Sequence, residues 1–181
     1  MSDAELIKAC LRQESSAQKM LFERFGPRML GVCHRYARNS DDALDILQDA
    51  FIRIFDKLHQ YKGEGSLEGW IRRIVVHTAL RKYERKHYQQ ERTALDSIAE
   101  HQTPSHDGID QDVSVKELLA LIHDLPEGYR LVFNLHVLEG YSHDEIAQLL
   151  QIQPATSRSQ LMKARLLLQK KLLHREKISA A

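Results

Sequence analysis

Apolar side chains recur along most of the chain at three- and four-residue intervals, whereas strict alternation and β-branched clusters between turn residues are scarce. The pattern predicts an all-α protein. Expected helices run over Asp3–Leu11, Ser16–Arg38, Ser40–Leu58, Leu67 to about Arg92, Ser114–His123, Glu127–Glu139, His143–Leu150 and Pro154–His174. In the third, Leu44, Leu47, Phe51 and Phe55 or residues near them are expected on the core side, with Asp42, Asp45 and Asp49 outside. In the fourth, Trp70, Ile71, Ile74, Val75 and Thr78 are expected to be buried, with Arg73, His77 and Arg81 outside beside Trp70 and Tyr83. The stretch from His101 to Gly108 is poor in apolar side chains and holds both Pro and Gly, which suits a solvated linker. The chain therefore divides into two small helical domains, residues 1–94 and 114–181, joined by an acidic flexible linker over 95–113.

The last third has helix-turn-helix spacing: Ser142 to Leu150, a break at Gln151-Ile152-Gln153-Pro154, then a long second helix. Ser142 is placed to cap the first helix and Glu145 to bond back to the cap's own N–H, a capping box; Ser114 and Glu117 have the same spacing. Ile146, Ala147 and Leu150 share one face, as do Leu161, Ala164, Leu168 and Leu172 on the second helix. Packing those faces together leaves Thr156, Arg158, Ser159, Gln160 and Lys163 outside, a set whose members bind phosphates or base edges.

The net charge of +1 conceals segregation. Residues 70–92 carry +5 and residues 156–177 carry +6, while residues 93–127 between them carry −7. Two basic stretches point to two DNA contacts separated by an acidic spacer. The first lies beside Trp70 and Tyr83 and follows the loop Tyr61-Lys62-Gly63-Glu64-Gly65-Ser66, whose glycines permit a close approach to a ligand. Aromatic and basic residues together suit a single strand, whose bases stack and whose phosphates need neutralising.

Other chemistry is poorly represented. Apolar runs are too short for a membrane span or a secretory signal, which points to a cytoplasmic protein without direct membrane insertion. Cys10 and Cys33 form no Cys-x-x-Cys pair and read as small core residues. Of the ten histidines, His101 and His106 sit in the expected linker, and His136 and His143 lack a paired Cys or Glu at ligand spacing, so no metal or other cofactor is expected. The Gly63–Ser66 loop lacks the Lys and spacing of a P-loop, and there is no nucleophile elbow. Neither an enzyme nor a small-molecule substrate is expected.

The order of these segments resembles the extracytoplasmic function group of the sigma-70 family, the promoter-recognition subunits of bacterial RNA polymerase. Residues 42–51 resemble its polymerase-binding segment, residues 61–74 its promoter-melting segment, and Leu125–Phe133 with Glu139–Ser142 the opening of its second DNA-binding domain. The resemblance implies that Asp45, Gln48 and Asp49 face the clamp formed by the largest subunits of core polymerase. It implies a minus-ten element site of Tyr61, Lys62, Gly63, Glu64, Ser66, Trp70, Arg73, His77 and Arg81, with the loop holding a flipped base. For the minus-thirty-five element it implies Thr156, Arg158, Ser159, Gln160, Met162 and Lys163, with Arg158, Ser159, Met162 and Lys163 entering the major groove. The implied partners are core polymerase, promoter DNA and an anti-sigma factor. Two departures stand out: His77 where the family often has Asn, and Gln151 and Ala155 at turn positions where Gly is frequent.

Simpler readings stand beside these. Asp42, Asp45 and Asp49 also fit a solvated helix face, and Trp70 a core residue. An autonomous helix-turn-helix regulator acting without polymerase would need dimer symmetry and a sensing domain, neither of which the sequence supplies. A nucleic-acid enzyme would need a carboxylate cluster in a cleft, whereas the acidic residues lie on a helix face and in the linker.

Overall fold

The computed structural model describes residues 1–93 and 115–179, and among them every regular element is helical. The chain forms two compact units, one built from α1 (Asp3–Leu11), α2 (Ser15–Tyr36), α3 (Ser40–Lys57) and α4 (Leu67–Thr93). The other contains α5 (Val115–His123), α6 (Glu127–Phe133), α7 (His143–Leu150) and α8 (Pro154–Ser179). The linker expected over 95–113 and Ser114 of the expected second capping box lie outside the described residues.

Helix ends follow local chemistry. Ser2 and Glu5 form a capping box on α1, which the sequence reading had not singled out, and Asn39 caps α3 by accepting from the Asp42 N–H at 2.8 Å. The expected box on α7 is present: Ser142 Oγ accepts from the Glu145 N–H at 3.2 Å, and the Glu145 carboxylate accepts from the Ser142 N–H at 2.8 Å. The helix expected over Glu127–Glu139 is α6 followed by a wider π-helical turn, Asn134–Leu138.

In the first unit α2, α3 and α4 pack against one another, with α1 on α2. Leu21 and Met29, Ile46 and Ile54, and Ile71 and Val75 supply fully buried side chains from the three helices. Cys10 and Cys33 are buried free thiols, as expected; burial pushes the Cys33 thiol up to about 12. The expected burial on α3 and α4 needs correction. Leu44 is 52% exposed and Phe55 half-buried, the buried face being Ala43, Ile46, Leu47, Ala50, Phe51 and Ile54. On α4, Trp70 and Ile74 are only half-buried, while Val76, Ala79 and Leu80 are buried. A helix packed against two neighbours hides a wider arc than a single apolar stripe indicates, and small residues mark where helices approach closely.

In the second unit α8 lies against α5, α6 and α7. Ile146, Ala147, Leu161, Ala164 and Leu168 are buried, while Leu150 and Leu172 are half-buried at the edge. Leu121, Ile122 and Leu125 pack with Ala164 and Leu168. Arg130 is nearly buried, and its Nη1 donates to the His123 carbonyl at 2.9 Å, satisfying an acceptor at the C-terminal end of α5.

The turn between α7 and α8 places Gln151 in the left-handed region, with φ 52° and ψ 42°. A Cβ there costs roughly 1–2 kcal/mol. Gln151→Gly is therefore expected to stabilise this unit by about 0.5–1 kcal/mol after allowing for glycine's larger unfolded-state entropy. Urea unfolding of the two proteins checks this; an unchanged or lower midpoint contradicts it.

Candidate nucleic-acid interface

In the first unit the loop before α4 is held by its own residues. Gly63 and Gly65 have φ of 78° and 80°, a region that side chains with a Cβ seldom adopt. The chain can therefore fold back so that the Tyr61 hydroxyl donates to the Gly65 carbonyl at 2.9 Å. The Gly69 N–H, near the start of α4, donates to Ser66 Oγ at 3.1 Å. The Tyr61 and Trp70 rings lie 5.6 Å apart at 58°, joining the base of the loop to the first turn of α4. Both aromatics are half-buried, so each keeps part of its ring surface accessible, while residues 62–66 are exposed.

Farther along α4, Arg73 and Arg81 are exposed and His77 half-buried. With Ile74 and Thr78 they line a cleft of about 180 Å³, whose other wall is Arg53 and Lys57 of α3. Neither Arg53 nor Lys57 was singled out from the sequence, because nothing local shows that the last turns of α3 reach the middle of α4. Burial holds the His77 imidazole below its ordinary value, and the positive charges of Arg73, Arg81 and Lys57 push it the same way.

On the opposite part of α3, Asp45, Gln48 and Asp49 are exposed along one face. The acidic face is not uniformly free: Lys82 Nζ of α4 lies 2.8 Å from Asp42 Oδ1 and 3.2 Å from Asp45 Oδ2. Leu44, expected in the core, and Ile52 add apolar surface to this side of the helix.

In the second unit α7 and α8 are tied by a hydrogen bond between His143 Nδ1 and Ser157 Oγ, 2.9 Å apart, with Ser157 fully buried. This holds the start of α8 against the first turn of α7. Of the residues expected outside, Arg158, Ser159 and Lys163 are exposed on α8, as is Met162, which the resemblance added to them. Thr156 is half-buried, and its carbonyl accepts from Ser159 Oγ at 3.0 Å. Gln160 departs from the expected exposure: it is half-buried, and a Cβ built on Gly128 of α6 would sit 3.1 Å from its Nε2, so its amide lies over that glycine.

The His143 and His136 rings stack with centroids 4.4 Å apart and planes at 13°, and His136 Nδ1 lies 2.9 Å from the Tyr141 carbonyl. Desolvation, then His136 and Arg158, hold the His143 imidazole below its ordinary value, with Asp144 opposing and Arg165 adding to the effect. The folded state therefore binds fewer protons than the unfolded state just below the ordinary imidazole value of about 6.5. This contribution to stability is fully present above about pH 6.5 and is lost as pH falls toward the depressed value. Melting midpoints of wild type are expected to drop through that range more steeply than those of His143→Gln; parallel pH profiles would contradict this.

The two units are thus a helical bundle that presents aromatic and cationic side chains together, and a helix-turn-helix module. Comparisons with known proteins agree. Residues 21–88 match Sigma-70 region 2 and residues 116–168 match Sigma-70, region 4. The chain belongs to the sigma-70 family, in its extracytoplasmic function group. It is 25% identical over 183 residues to the ECF RNA polymerase sigma-E factor of Haemophilus influenzae, covering 95% of this chain and 96% of that protein. It is 27% identical over 173 residues to the RNA polymerase sigma-H factor of Pseudomonas aeruginosa, covering 90% of each. In fold it resembles the sigma factor RpoE of Bartonella quintana, solved in complex with the anti-sigma factor NepR: the TM-score is 0.59 at 17% identity, over 85% of this chain and 95% of that one.

Proposed function

We propose that the chain acts as an RNA polymerase sigma factor that directs core enzyme to promoters through two separate DNA contacts and assists melting at the minus-ten element. The observation that carries this reading is the pairing of two independent helical units, each with its own exposed cationic helix face, in the order of sigma-70 regions 2 and 4. In the first unit the loop over 61–66 with Trp70 receives an unstacked base, and Arg73, His77 and Arg81 accompany the strand's phosphates. In the second, Arg158, Ser159, Met162 and Lys163 enter the major groove of the minus-thirty-five element, with Thr156 and Gln160 supporting the helix that presents them. Asp45, Gln48 and Asp49 bind the polymerase clamp.

The domains follow residues 1–94 and 114–181, with 95–113 linking them, and the protein works in the cytoplasm as a binding subunit rather than an enzyme. Among the described residues no helix is long and apolar enough to cross a membrane. An anti-sigma factor is the expected regulator, since the Bartonella quintana sigma factor of similar fold was solved with one. Co-purification with core polymerase, followed by sequencing of transcripts initiated in vitro, tests the reading. Discrete start sites that depend on this chain support it; specific operator binding without core, and no directed initiation with core, would favour an autonomous regulator.

A further inference from the structure

Arg158 and Ser159 follow directly on the first turn of α8, where backbone groups have the fewest partners within the helix and where a helix frays first. Ser157 closes that turn. It is fully buried, its N–H donates to the Gln153 carbonyl at 3.1 Å, and its Oγ lies 2.9 Å from Nδ1 of His143, in the first turn of α7. An apolar pair of similar size would bury as much surface; a shielded hydroxyl bonded to an imidazole adds a fixed distance and direction.

His143 is held in turn. Its ring stacks on that of His136, 4.4 Å away with planes at 13°, and His136 Nδ1 donates to the Tyr141 carbonyl at 2.9 Å. His136 belongs to the π-helical turn Asn134–Leu138, which the fully buried Asn134 and Leu135 anchor in the unit. The chain then reverses at Gly140, with φ 79°, and the Tyr141 N–H donates to the Leu135 carbonyl at 2.9 Å, so the turn lies against the start of α7. Wide turns of this kind are rare and recur at functional sites.

We propose that Ser157, His143 and His136 are positioning residues for minus-thirty-five recognition: the stack orients the His143 ring, the ring holds Ser157, and Ser157 sets the placement at which Arg158, Ser159 and Met162 meet the bases. This rests on the minus-thirty-five reading above and adds to it three residues that govern base choice through the helix. Base-edge hydrogen bonds are directional, and a shift of about 0.5 Å spoils a bidentate pair. Phosphate contacts are mainly electrostatic and tolerate such a shift. Loosening the start of α8 therefore lowers discrimination between sequences and leaves affinity for non-cognate DNA nearly unchanged. A contribution to folding alone would lower both in proportion, by reducing the folded fraction.

The test uses holoenzyme reconstituted with the full chain and duplex promoter fragments that differ only by single bases in the minus-thirty-five element, so that every other contact is common to the set. Ser157→Ala removes the hydroxyl, and His143→Phe keeps a ring for the stack but removes the nitrogen. Each is expected to reduce the ratio of cognate to variant affinity about fivefold, part of the discrimination that a good bidentate contact gives. The double variant should lose no more than either single one, because both remove the same bond. His143→Asn places an amide where Nδ1 stood and so keeps a partner for Ser157 while losing the stack; His136→Ala also loses only the stack. These two should match each other and lose less than His143→Phe.

Unchanged ratios in Ser157→Ala and His143→Phe overturn the proposal, as do equal losses on every sequence or additive losses in the double variant. An unchanged ratio in His136→Ala removes His136 from the assembly. If circular dichroism shows that Ser157→Ala fails to fold, the comparison of His143→Phe with His143→Asn decides alone, equal losses overturning the role of the bond. Wild-type holoenzyme that shows no preference within the set would overturn the minus-thirty-five reading itself.

Discussion

Replacing Trp70 by alanine is expected to slow promoter opening by roughly one to two orders of magnitude while core enzyme still binds and a closed complex still forms. Trp70 is half-buried and stands 5.6 Å from Tyr61, whose hydroxyl holds the Gly65 carbonyl, so one indole both offers a stacking surface and supports the loop. A stacked base contributes about 1–3 kcal/mol, and each 1.4 kcal/mol is about tenfold. Asp45, Gln48 and Asp49, proposed above to bind polymerase, lie on α3, away from the indole's contacts with the loop, which is why association with core should survive. Tyr61→Phe separates the two roles: it keeps the ring but removes the hydrogen bond to Gly65, and should give a smaller defect. Permanganate reactivity of unpaired thymines reports opening directly. If Trp70→Ala opens the promoter at the wild-type rate, and Lys62 and Glu64 variants do so as well, minus-ten reading does not reside in this segment.

In the second unit, Arg158→Ala is expected to weaken binding to the cognate minus-thirty-five element by about 1–3 kcal/mol and to relax base preference at one position. Lys163→Ala should instead lower affinity almost uniformly across sequences and reduce its salt dependence, as loss of a phosphate contact does. Both side chains are exposed on α8, so neither change should disturb the core formed by Leu161, Ala164 and Leu168. Competition binding of holoenzyme to a set of single-base minus-thirty-five variants distinguishes the two behaviours. Identical, sequence-independent losses for both substitutions would mean that Arg158 contacts only the backbone. Retained preference in both would move base reading to Ser159 and Met162, which are also exposed on α8.

The hydrogen bond between His143 and Ser157 gives this division of labour a structural basis. It fixes the start of α8 against α7 from inside the unit, so that Arg158 and Ser159, the next two residues, are presented from a held position rather than a fraying helix end. The stacked His136 ring and the left-handed Gln151 are found in the same small module.

Much of this was legible along the chain because the signals act over three or four residues. The capping box at Ser142 and Glu145, Pro154 opening α8, the two basic stretches and the glycine-containing loop all express their chemistry within one helical turn or one loop, and the structure keeps them where periodicity placed them. Other features required residues distant in sequence to meet. Trp70 remains half-exposed because Tyr61 and the loop, rather than the bundle core, receive its ring, and Leu44 is exposed because Ala43, Ile46 and Leu47 turn toward the neighbouring helices. Gln160 lies over a glycine 32 residues earlier, and Lys82 engages carboxylates 37 and 40 residues away. The cleft that joins Arg53 and Lys57 to His77 exists only through the packing of α3 on α4. Hydrophobic period and capping chemistry determine which segments are helices and roughly which face is apolar; the angular width of each buried face, and which charges come together across it, depend on how the helices pack, and only the tertiary structure decides that.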